Sequence, residues 1–304
     1  MYLHDNKELF DQVITLVQDE TKFNKEIIIK DYYSMLLLER ISSKLPDVIF
    51  KGGTCLSKAW KIIDRFSEDV DLTFEKRLTE SERRNISHIL QDTISEVDGL
   101  DLSNEEEIKS KSEHNIYMVS YPVEHDIEYI KDYIQIETSY FISSFPFEKK
   151  EIKSYILEYL EKMDNKKLID DYDLKSFTIN VQSIERTFVD KVFALCDYFI
   201  RGDVRKRARH IYDLYQIYPL INKDEKLKQL IEDVRLLRRE HEKCESAQNG
   251  ININDVLKQI IDSKLFKEDF EQTTSAMFTS KESITYDESI SVLYKIIENG
   301  LFIK

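Results

Sequence analysis

The sequence predicts an α+β fold, with an α/β part in residues 1–145 and a mainly helical part in residues 146–304. Stretches rich in β-branched and aromatic residues, which favour strands, are concentrated in the first part. In the second part apolar residues recur at helical spacing. The chain has only 6 glycines and 4 prolines among its 304 residues, which favours helix over most of its length. An active cleft is expected between the two parts.

The first part opens with two amphipathic helices, predicted at residues 5–20 and 26–44, and Pro46 ends the second. Thr79 is placed to cap a later helix, with Glu82 at the capping-box position. The chain then alternates strand, helix, strand and helix before two further strands. These elements are predicted at 47–51, 54–63, 69–75, 79–97, 115–122 and 133–141, with a polar loop over 99–114.

The second part is predicted to be helical apart from one short strand at 176–182. Ser183 is expected to start a long helix, and Pro219 to end the next one. Residues 263–284 have no readable periodicity. The predicted helices of this part are 148–163, 183–200, 203–218, 223–243, 252–262 and 286–299.

Composition limits the class of protein. No N-terminal apolar run or long apolar stretch indicates a signal peptide or a membrane span, so a cytoplasmic protein without membrane contact is expected. The three cysteines are far apart in sequence and form no CxxC pair, which argues against a zinc site or a disulfide framework. The formal net charge of −14 argues against a generally basic surface but leaves room for a local basic patch.

The chemically distinctive stretch begins where the first predicted strand runs into Gly52, Gly53 and Thr54. Two glycines let the backbone turn sharply and approach a ligand closely. Free amides at the start of the following helix attract phosphate. Lys58, one helical turn later, is placed to contact a phosphate as well.

Two carboxylates follow this turn. Asp69 and Asp71 are separated by one residue in a predicted strand, so both side chains point the same way. Two carboxylates beside a phosphate cradle predict a Mg²⁺ site for nucleotide chemistry. Arg65 and Ser67, just before them, are expected to bind a triphosphate or to orient the loop.

The order of these motifs resembles a known family. Gly-Gly-Thr followed by Asp-x-Asp is similar to the DNA polymerase β-like nucleotidyltransferase superfamily. The fuller runs Lys-Gly-Gly-Thr-x-Leu-x-Lys and Arg-Phe-Ser-Glu-Asp-Val-Asp-Leu resemble the AbiEii toxin family, which has the MenT toxins as relatives. The resemblance extends over residues 45–215 and implies a polymerase β-like α/β core.

The resemblance also implies roles for three later residues. Glu137 is the candidate for the superfamily's third metal-binding carboxylate. Lys191 matches the family's essential lysine and would bind nucleotide phosphate. Asp213, in Arg-His-Ile-Tyr-Asp-Leu, matches its essential aspartate, which would orient that lysine or act as a base for the acceptor. The predicted catalytic set is therefore Asp69, Asp71, Lys191 and Asp213.

A basic cluster precedes Asp213 in this acidic chain. Its cations are interpreted as a contact to RNA backbone or triphosphate. The alternative is a charged helix face paired with nearby acids. The cluster consists of Arg201 and the four candidate RNA-binding residues Arg205, Lys206, Arg207 and Arg209.

The resemblance implies a toxin of a toxin–antitoxin or phage-defence system, with a separate antitoxin partner. Its expected activity is Mg²⁺-dependent transfer of NMP from an NTP to an RNA 3′ end, in particular the tRNA acceptor stem. Transfer to a protein or small-molecule hydroxyl needs the same motifs and is an open alternative. A catalytically silent module that binds nucleotide or a partner is the other.

Overall fold

The structure is a computed structural model that describes residues 1–123, 130–278 and 284–302. It divides into two compact units, each built from discontinuous stretches of chain. The sheet unit consists of Met1–Ala59, Ser67–Tyr140 and Phe147–Val181. The helical unit consists of Trp60–Phe66, Phe141–Pro146 and Gln182–Lys304. Residues 147–181 lie beyond the domain boundary predicted at residue 145, but they group with the sheet unit.

The sheet unit is built around a seven-stranded mixed sheet with the order β3-β4-β5-β2-β1-β7-β6. At the centre of the sheet, β2 lies between β1, to which it is antiparallel, and β5, to which it is parallel. This mixed architecture confirms the predicted fold class. The strands are β1 (Ile49–Lys51), β2 (Val70–Thr73), β3 (Asp101–Leu102), β4 (His114–Ser120), β5 (Tyr133–Ser139), β6 (Phe147–Ile152) and β7 (Phe177–Gln182).

The helices of this unit are α1 (Lys7–Thr21), α2 (Lys25–Lys44), α3 (Gly52–Lys58), α4 (Glu80–Ser95), α5 (Tyr155–Lys162) and α6 (Lys166–Asp171). Helix α2 is the central one, because α1, α4 and α5 all pack against it. Ile28, Tyr33 and Leu38 lie on different sides of α2, and all are buried. A helix that is apolar on most sides needs such surroundings. The predicted capping box of α4 is confirmed by reciprocal hydrogen bonds between Thr79 and Glu82.

The helical unit begins with a long buried helix whose N-terminus Ser183 caps, as predicted, by accepting from the backbone N–H of Arg186. Helices α8, α9 and α10 pack against α7, and α12 packs against α8 and α10. The helices are α7 (Ile184–Arg201), α8 (Arg209–Ile217), α9 (Glu225–Arg239), α10 (Ile253–Ser263), α11 (Lys267–Asp269, continued by a π turn over Phe270–Thr274) and α12 (Tyr286–Glu298). None of the described helices is long and apolar enough to span a membrane.

The predicted helix over 148–163 is wrong in its first half. Phe147–Ile152 is the edge strand β6, and only Tyr155–Lys162 is helical. The run of Glu and Lys residues favours helix in isolation, but pairing in the sheet overrides that preference.

The helix predicted over residues 203–218 begins at Arg209 in the structure, six residues after its predicted start. Gly202 ends α7 in the left-handed region with φ +69°, and Lys206 is also left-handed with φ +60°. The Asp269 carboxylate accepts hydrogen bonds from the backbone N–H groups of Lys206 and Ala208. These contacts hold the segment as a turn, so that α8 begins at Arg209.

Candidate active site

A glycine at the end of β1 lies directly against the acidic strand. Gly52 has φ +78°, a conformation that residues with side chains rarely adopt. A Cβ atom on this residue would lie 1.9 Å from Oδ2 of Asp71. The antiparallel register, which pairs Lys51 with Asp71, brings the turn to this position. The predicted glycine turn and one predicted carboxylate are therefore in contact.

The three predicted metal-binding carboxylates lie on two neighbouring strands. Asp69 directly precedes β2 and Asp71 is its second residue, so alternation directs both side chains to the same side of the sheet. In the parallel register between β2 and β5, Asp71 lies beside Glu137. Ile136 on β5 is fully buried, whereas Glu137 is half-buried. The acidic side chains thus form an accessible face, called here the acidic face (Asp69, Asp71 and Glu137).

Two of these carboxylates are each paired with a basic side chain. Nζ of Lys131 lies 2.5 Å from Oδ1 of Asp69, and Nε2 of His114 lies 3.0 Å from Oε1 of Glu137. Burial alone would raise the pKa of Glu137. The hydrogen bond and charge of His114, together with Lys51 and Lys131, outweigh burial and hold that pKa below its ordinary value. Glu137 is therefore ionised at neutral pH.

The acidic face has the donors that Mg²⁺ uses. In nucleotide enzymes Mg²⁺ is commonly bound by one or two carboxylates, and substrate phosphates complete its coordination. Asp69 and Asp71 fit this pattern, and the missing Cβ of Gly52 makes room for the Asp71 carboxylate against the glycine turn. Within residues 1–123, 130–278 and 284–302, no group of three or more His, Cys, Asp or Glu side chains is arranged to hold a metal ion by itself. Glu137, paired with His114, remains a predicted third ligand.

Two of the predicted phosphate-binding hydroxyls contact each other. Oγ1 of Thr54, in the first turn of α3, donates to Oγ of Ser67 at 3.2 Å. This hydrogen bond ties the glycine turn, with half-buried Gly53, to the segment that leads into the acidic strand. Thr54 and Ser67 therefore lie next to the elements that carry the carboxylates.

Lys58 departs from its predicted phosphate-binding role. Its side chain is only 3% exposed, with Nζ 2.8 Å from Oδ1 of Asp31 and 3.6 Å from the ring centroid of Tyr155. Burial would lower the pKa of Lys58, but the Asp31 charge outweighs burial and raises it. The ammonium is thus part of an interior ion pair, because Lys58 lies on the face of α3 that packs into the core.

In the helical unit a single buried aspartate binds two cations. Asp213 is fully buried, and both its oxygens accept from the guanidinium of Arg65 at 2.7 Å. Nζ of Lys191 lies 2.6 Å from Oδ2 of the same carboxylate. Burial alone would raise the pKa of Asp213, but Arg65 and Lys191 lower it far below its ordinary value.

This geometry distinguishes between the two roles predicted for Asp213. A carboxylate whose pKa is strongly lowered accepts protons poorly and is a weak general base. Its short contact with Lys191 is suited to orienting the ammonium. Burial and the nearby Arg65 charge lower the pKa of Lys191, against the opposing effect of Asp213. Arg65, predicted to contact triphosphate or orient its loop, is bound bidentately to Asp213.

The basic cluster is partly engaged with local acids and aromatics. Nη2 of Arg207 lies 3.1 Å from Oδ2 of Asp203, and its guanidinium lies 4.2 Å from the ring centroid of Tyr198. Arg205 and Lys206 have exposed side chains, and Arg209 is half-buried. Arg207 thus agrees with the alternative of local pairing, while the RNA contact of the cluster stays a prediction.

The predicted site residues divide between the two units. Asp213, Lys191, Arg65 and the basic cluster belong to the helical unit. The sheet unit contains Gly52, Gly53, Thr54, Lys58, Ser67, Asp69, Asp71 and Glu137. The proposition that both sets face one cleft stays a prediction.

The side chains that pair with the acidic face could not be identified from sequence motifs. Lys131 forms an ion pair with Asp69, His114 forms a hydrogen bond with Glu137, and Gln135 contacts both Lys131 and Glu137. No motif marks these residues. The available signal was strand alternation, which places Gln135 on the same side of β5 as Glu137.

Comparison with known proteins identifies the family. A family model described as the nucleotidyl transferase AbiEii toxin of type IV toxin–antitoxin systems matches residues 36–292. The chain belongs to this family. Membership of the AbiEii family makes the chain a nucleotidyltransferase toxin with a nucleotide substrate and an antitoxin partner. The matched range contains all the residues assigned to the site.

Among solved structures, this AbiEii-family chain is similar to MenT4, a nucleotidyltransferase toxin from Mycobacterium tuberculosis H37Rv. The TM-score is 0.54 at 14% sequence identity, and the alignment covers 96% of this chain and 90% of MenT4. At this identity the likeness shows a shared fold. No curated protein matches the chain significantly.

Proposed function

We propose that this toxin transfers a nucleoside monophosphate from an NTP to the 3′ end of an RNA, the tRNA acceptor stem, in a Mg²⁺-dependent reaction. The observation that carries the proposal is the placement of Asp69 and Asp71 on one accessible face, with Gly52 packed against the second carboxylate. Family membership supplies the reaction class. The family resemblance points to tRNA as the acceptor.

In the proposed step the 3′-hydroxyl oxygen of the RNA forms a bond to the α-phosphorus of the NTP. The bond between that phosphorus and the pyrophosphate oxygen breaks, pyrophosphate leaves, and the hydroxyl proton passes to solvent. Asp69 and Asp71 would hold Mg²⁺, which when bound neutralises charge on the phosphate oxygens. Gly52 and Gly53 would let the backbone approach the triphosphate closely beside these carboxylates.

We assign Lys191 the role of a phosphate-binding cation and Asp213 that of its positioning residue. The motivating contact is the 2.6 Å ion pair between them. A lysine whose ammonium is held by a buried carboxylate binds phosphate with little loss of side-chain entropy. Addition of nucleotides to the acceptor end would prevent aminoacylation, so growth arrest restrained by an antitoxin is the expected effect. Such arrest also suits a role in phage defence.

The proposal is tested by incubating the purified protein with each α-³²P-labelled NTP, Mg²⁺ and total tRNA. Labelled tRNA and extended 3′ ends on sequencing are expected. An Asp69→Asn/Asp71→Asn variant should label nothing, while Asp262→Asn, which alters an exposed aspartate on α10, should behave as wild type. EDTA should abolish labelling.

The other outcomes separate the alternatives. Label on protein or on a small molecule, with none on RNA, would replace the acceptor but keep the transferase site. Nucleotide binding without transfer to any acceptor, in the presence of Mg²⁺ or Mn²⁺, would reject the proposed activity.

A further inference from the structure

Lys131 places an ammonium on the acidic face. Its Nζ lies 2.5 Å from Oδ1 of Asp69 and 3.0 Å from Oε1 of Gln135. The Lys131 side chain is 30% exposed, against 15% for Asp69. The ammonium is therefore the more exposed of the two groups and occupies Oδ1 of one of the carboxylates proposed to hold Mg²⁺.

An ion pair between buried Lys30 and half-buried Glu68 holds the backbone of Lys131 at this position. The Lys131 N–H donates to Oε2 of Glu68 at 3.0 Å. Nζ of Lys30 donates both to the Lys131 carbonyl oxygen, at 2.9 Å, and to the same Glu68 oxygen, at 2.5 Å. Lys30 is only 1% exposed. Both backbone polar groups of Lys131 are thus bound to this ion pair, which fixes where its side chain starts.

The arrangement has a physical reason. Asp69 lies two residues from Asp71, and Asp71 lies beside Glu137 across the parallel ladder. Carboxylates so close repel one another, and a nearby cation relieves the repulsion. A lysine ammonium does this while no divalent ion is bound, but it occupies lone pairs of Asp69 that a metal needs.

We propose that Lys131 exchanges partners: it holds Asp69 in the empty site, yields that carboxylate to the divalent ion, and then binds the triphosphate. This inference rests on the proposed function. The ammonium competes with a divalent ion that arrives alone, and it supports one that arrives with nucleotide. Removing it should therefore strengthen the binding of metal and weaken the binding of nucleotide.

The test measures Mn²⁺ binding to the nucleotide-free protein by titration calorimetry, together with the KM for NTP in the transfer assay. For Lys131→Met we expect Mn²⁺ to bind about two- to fivefold more tightly, the effect of removing one partly exposed charge partner. KM for NTP should rise by a similar factor. Lys131→Arg keeps the charge and should stay near wild type, as should Lys166→Met, which alters a lysine with an 80% exposed side chain.

A merely structural role for Lys131 predicts the opposite sign for the metal, because a disordered site binds Mn²⁺ more weakly. Unchanged or weaker Mn²⁺ binding by Lys131→Met would overturn the inference while leaving the metal site in place. Absence of Mn²⁺ binding in both wild type and Lys131→Met, or binding that survives Asp69→Asn/Asp71→Asn, would reject the metal site itself and the inference with it. Thermal melting of each variant shows that it is folded.

Discussion

The acidic face of the sheet unit and the buried aspartate of the helical unit use carboxylates in contrasting ways. Among the residues that the structure describes, Asp69 pairs with the cation of Lys131 and keeps a partly exposed side chain. In the same set, Asp213 pairs with the cations of Arg65 and Lys191 and has no exposed surface. The first arrangement leaves the carboxylate within reach of a ligand that displaces its lysine. The second satisfies the carboxylate within the fold, so its chemistry is to hold Arg65 and Lys191 in place.

The largest effect expected on stability comes from Asp213→Asn. This change leaves two buried cations without a counter-charge, and breaking a buried ion pair costs about 3–5 kcal/mol. Urea denaturation at pH 7 measures the loss. Asp262→Asn on the exposed side of α10 should stay within about 0.5 kcal/mol of wild type. A loss below about 1 kcal/mol for Asp213→Asn would mean that the buried network contributes little to the helical unit.

The difference in unfolding free energy between wild type and Asp213→Asn should also depend on pH. The pKa of Asp213 is lowered in the folded state, so its stabilising effect is complete above the unfolded value of about 3.9 and is lost as pH falls through the folded value. The difference in unfolding free energy between wild type and Asp213→Asn should therefore be constant from pH 7 to 5 and should shrink below about pH 4. Urea melts at several pH values measure it. A difference that shrinks between pH 7 and 5 would contradict this reading.

Gly52→Ala is expected to have the next largest effect on stability, and it alters the glycine turn beside the acidic face. A left-handed backbone costs an alanine about 1–3 kcal/mol, and the new Cβ would also collide with Asp71. Gly250→Ala is a matched control, because Gly250 has φ +87° and nothing lies within 4 Å of its added Cβ. Both variants should lose stability in urea melts, but only Gly52→Ala should lose transfer activity. Equal activities would show that contact between the turn and Asp71 does not matter.

The smallest effect is expected at the basic cluster. Arg205→Gln/Lys206→Gln removes two exposed charges and should change unfolding free energy by less than about 0.5 kcal/mol. If these side chains contact RNA, KM for tRNA should rise about three- to tenfold and its salt dependence should weaken. Lys166→Gln/Lys167→Gln, an exposed pair on α6, is the control for lost charge. An unchanged KM would favour the alternative of a solvated, locally paired segment.

Local patterns in the sequence predicted the parts of the site that depend on neighbouring residues. The one-residue spacing of Asp69 and Asp71 was sufficient to place both on one side of β2. The glycine pair was sufficient to indicate a turn, although only the strand register shows that Gly52 must pass against Asp71.

Long-range pairing was beyond such patterns. The Arg65–Asp213 pair joins residues 148 positions apart, and the Lys131–Asp69 pair joins residues 62 apart. For Lys58 the local pattern was right, since it lies one helical turn after the glycines. Its side chain nevertheless points into the core, which the spacing alone could not show. The helix predicted in place of strand β6 was wrong for a related reason, because sheet neighbours rather than local propensity decide the conformation of this segment.

Whether the acidic face performs the reaction is decided by the single-turnover rate of NMP transfer to tRNA by Asp71→Asn, measured beside the unfolding free energy of this variant. If the acidic face performs the reaction, the rate should fall by about 10³-fold or more, the effect of losing several kcal/mol of charge stabilisation. Stability should stay within about 1 kcal/mol of wild type, because Asp71 is not fully buried. A rate within about tenfold of wild type would contradict the account.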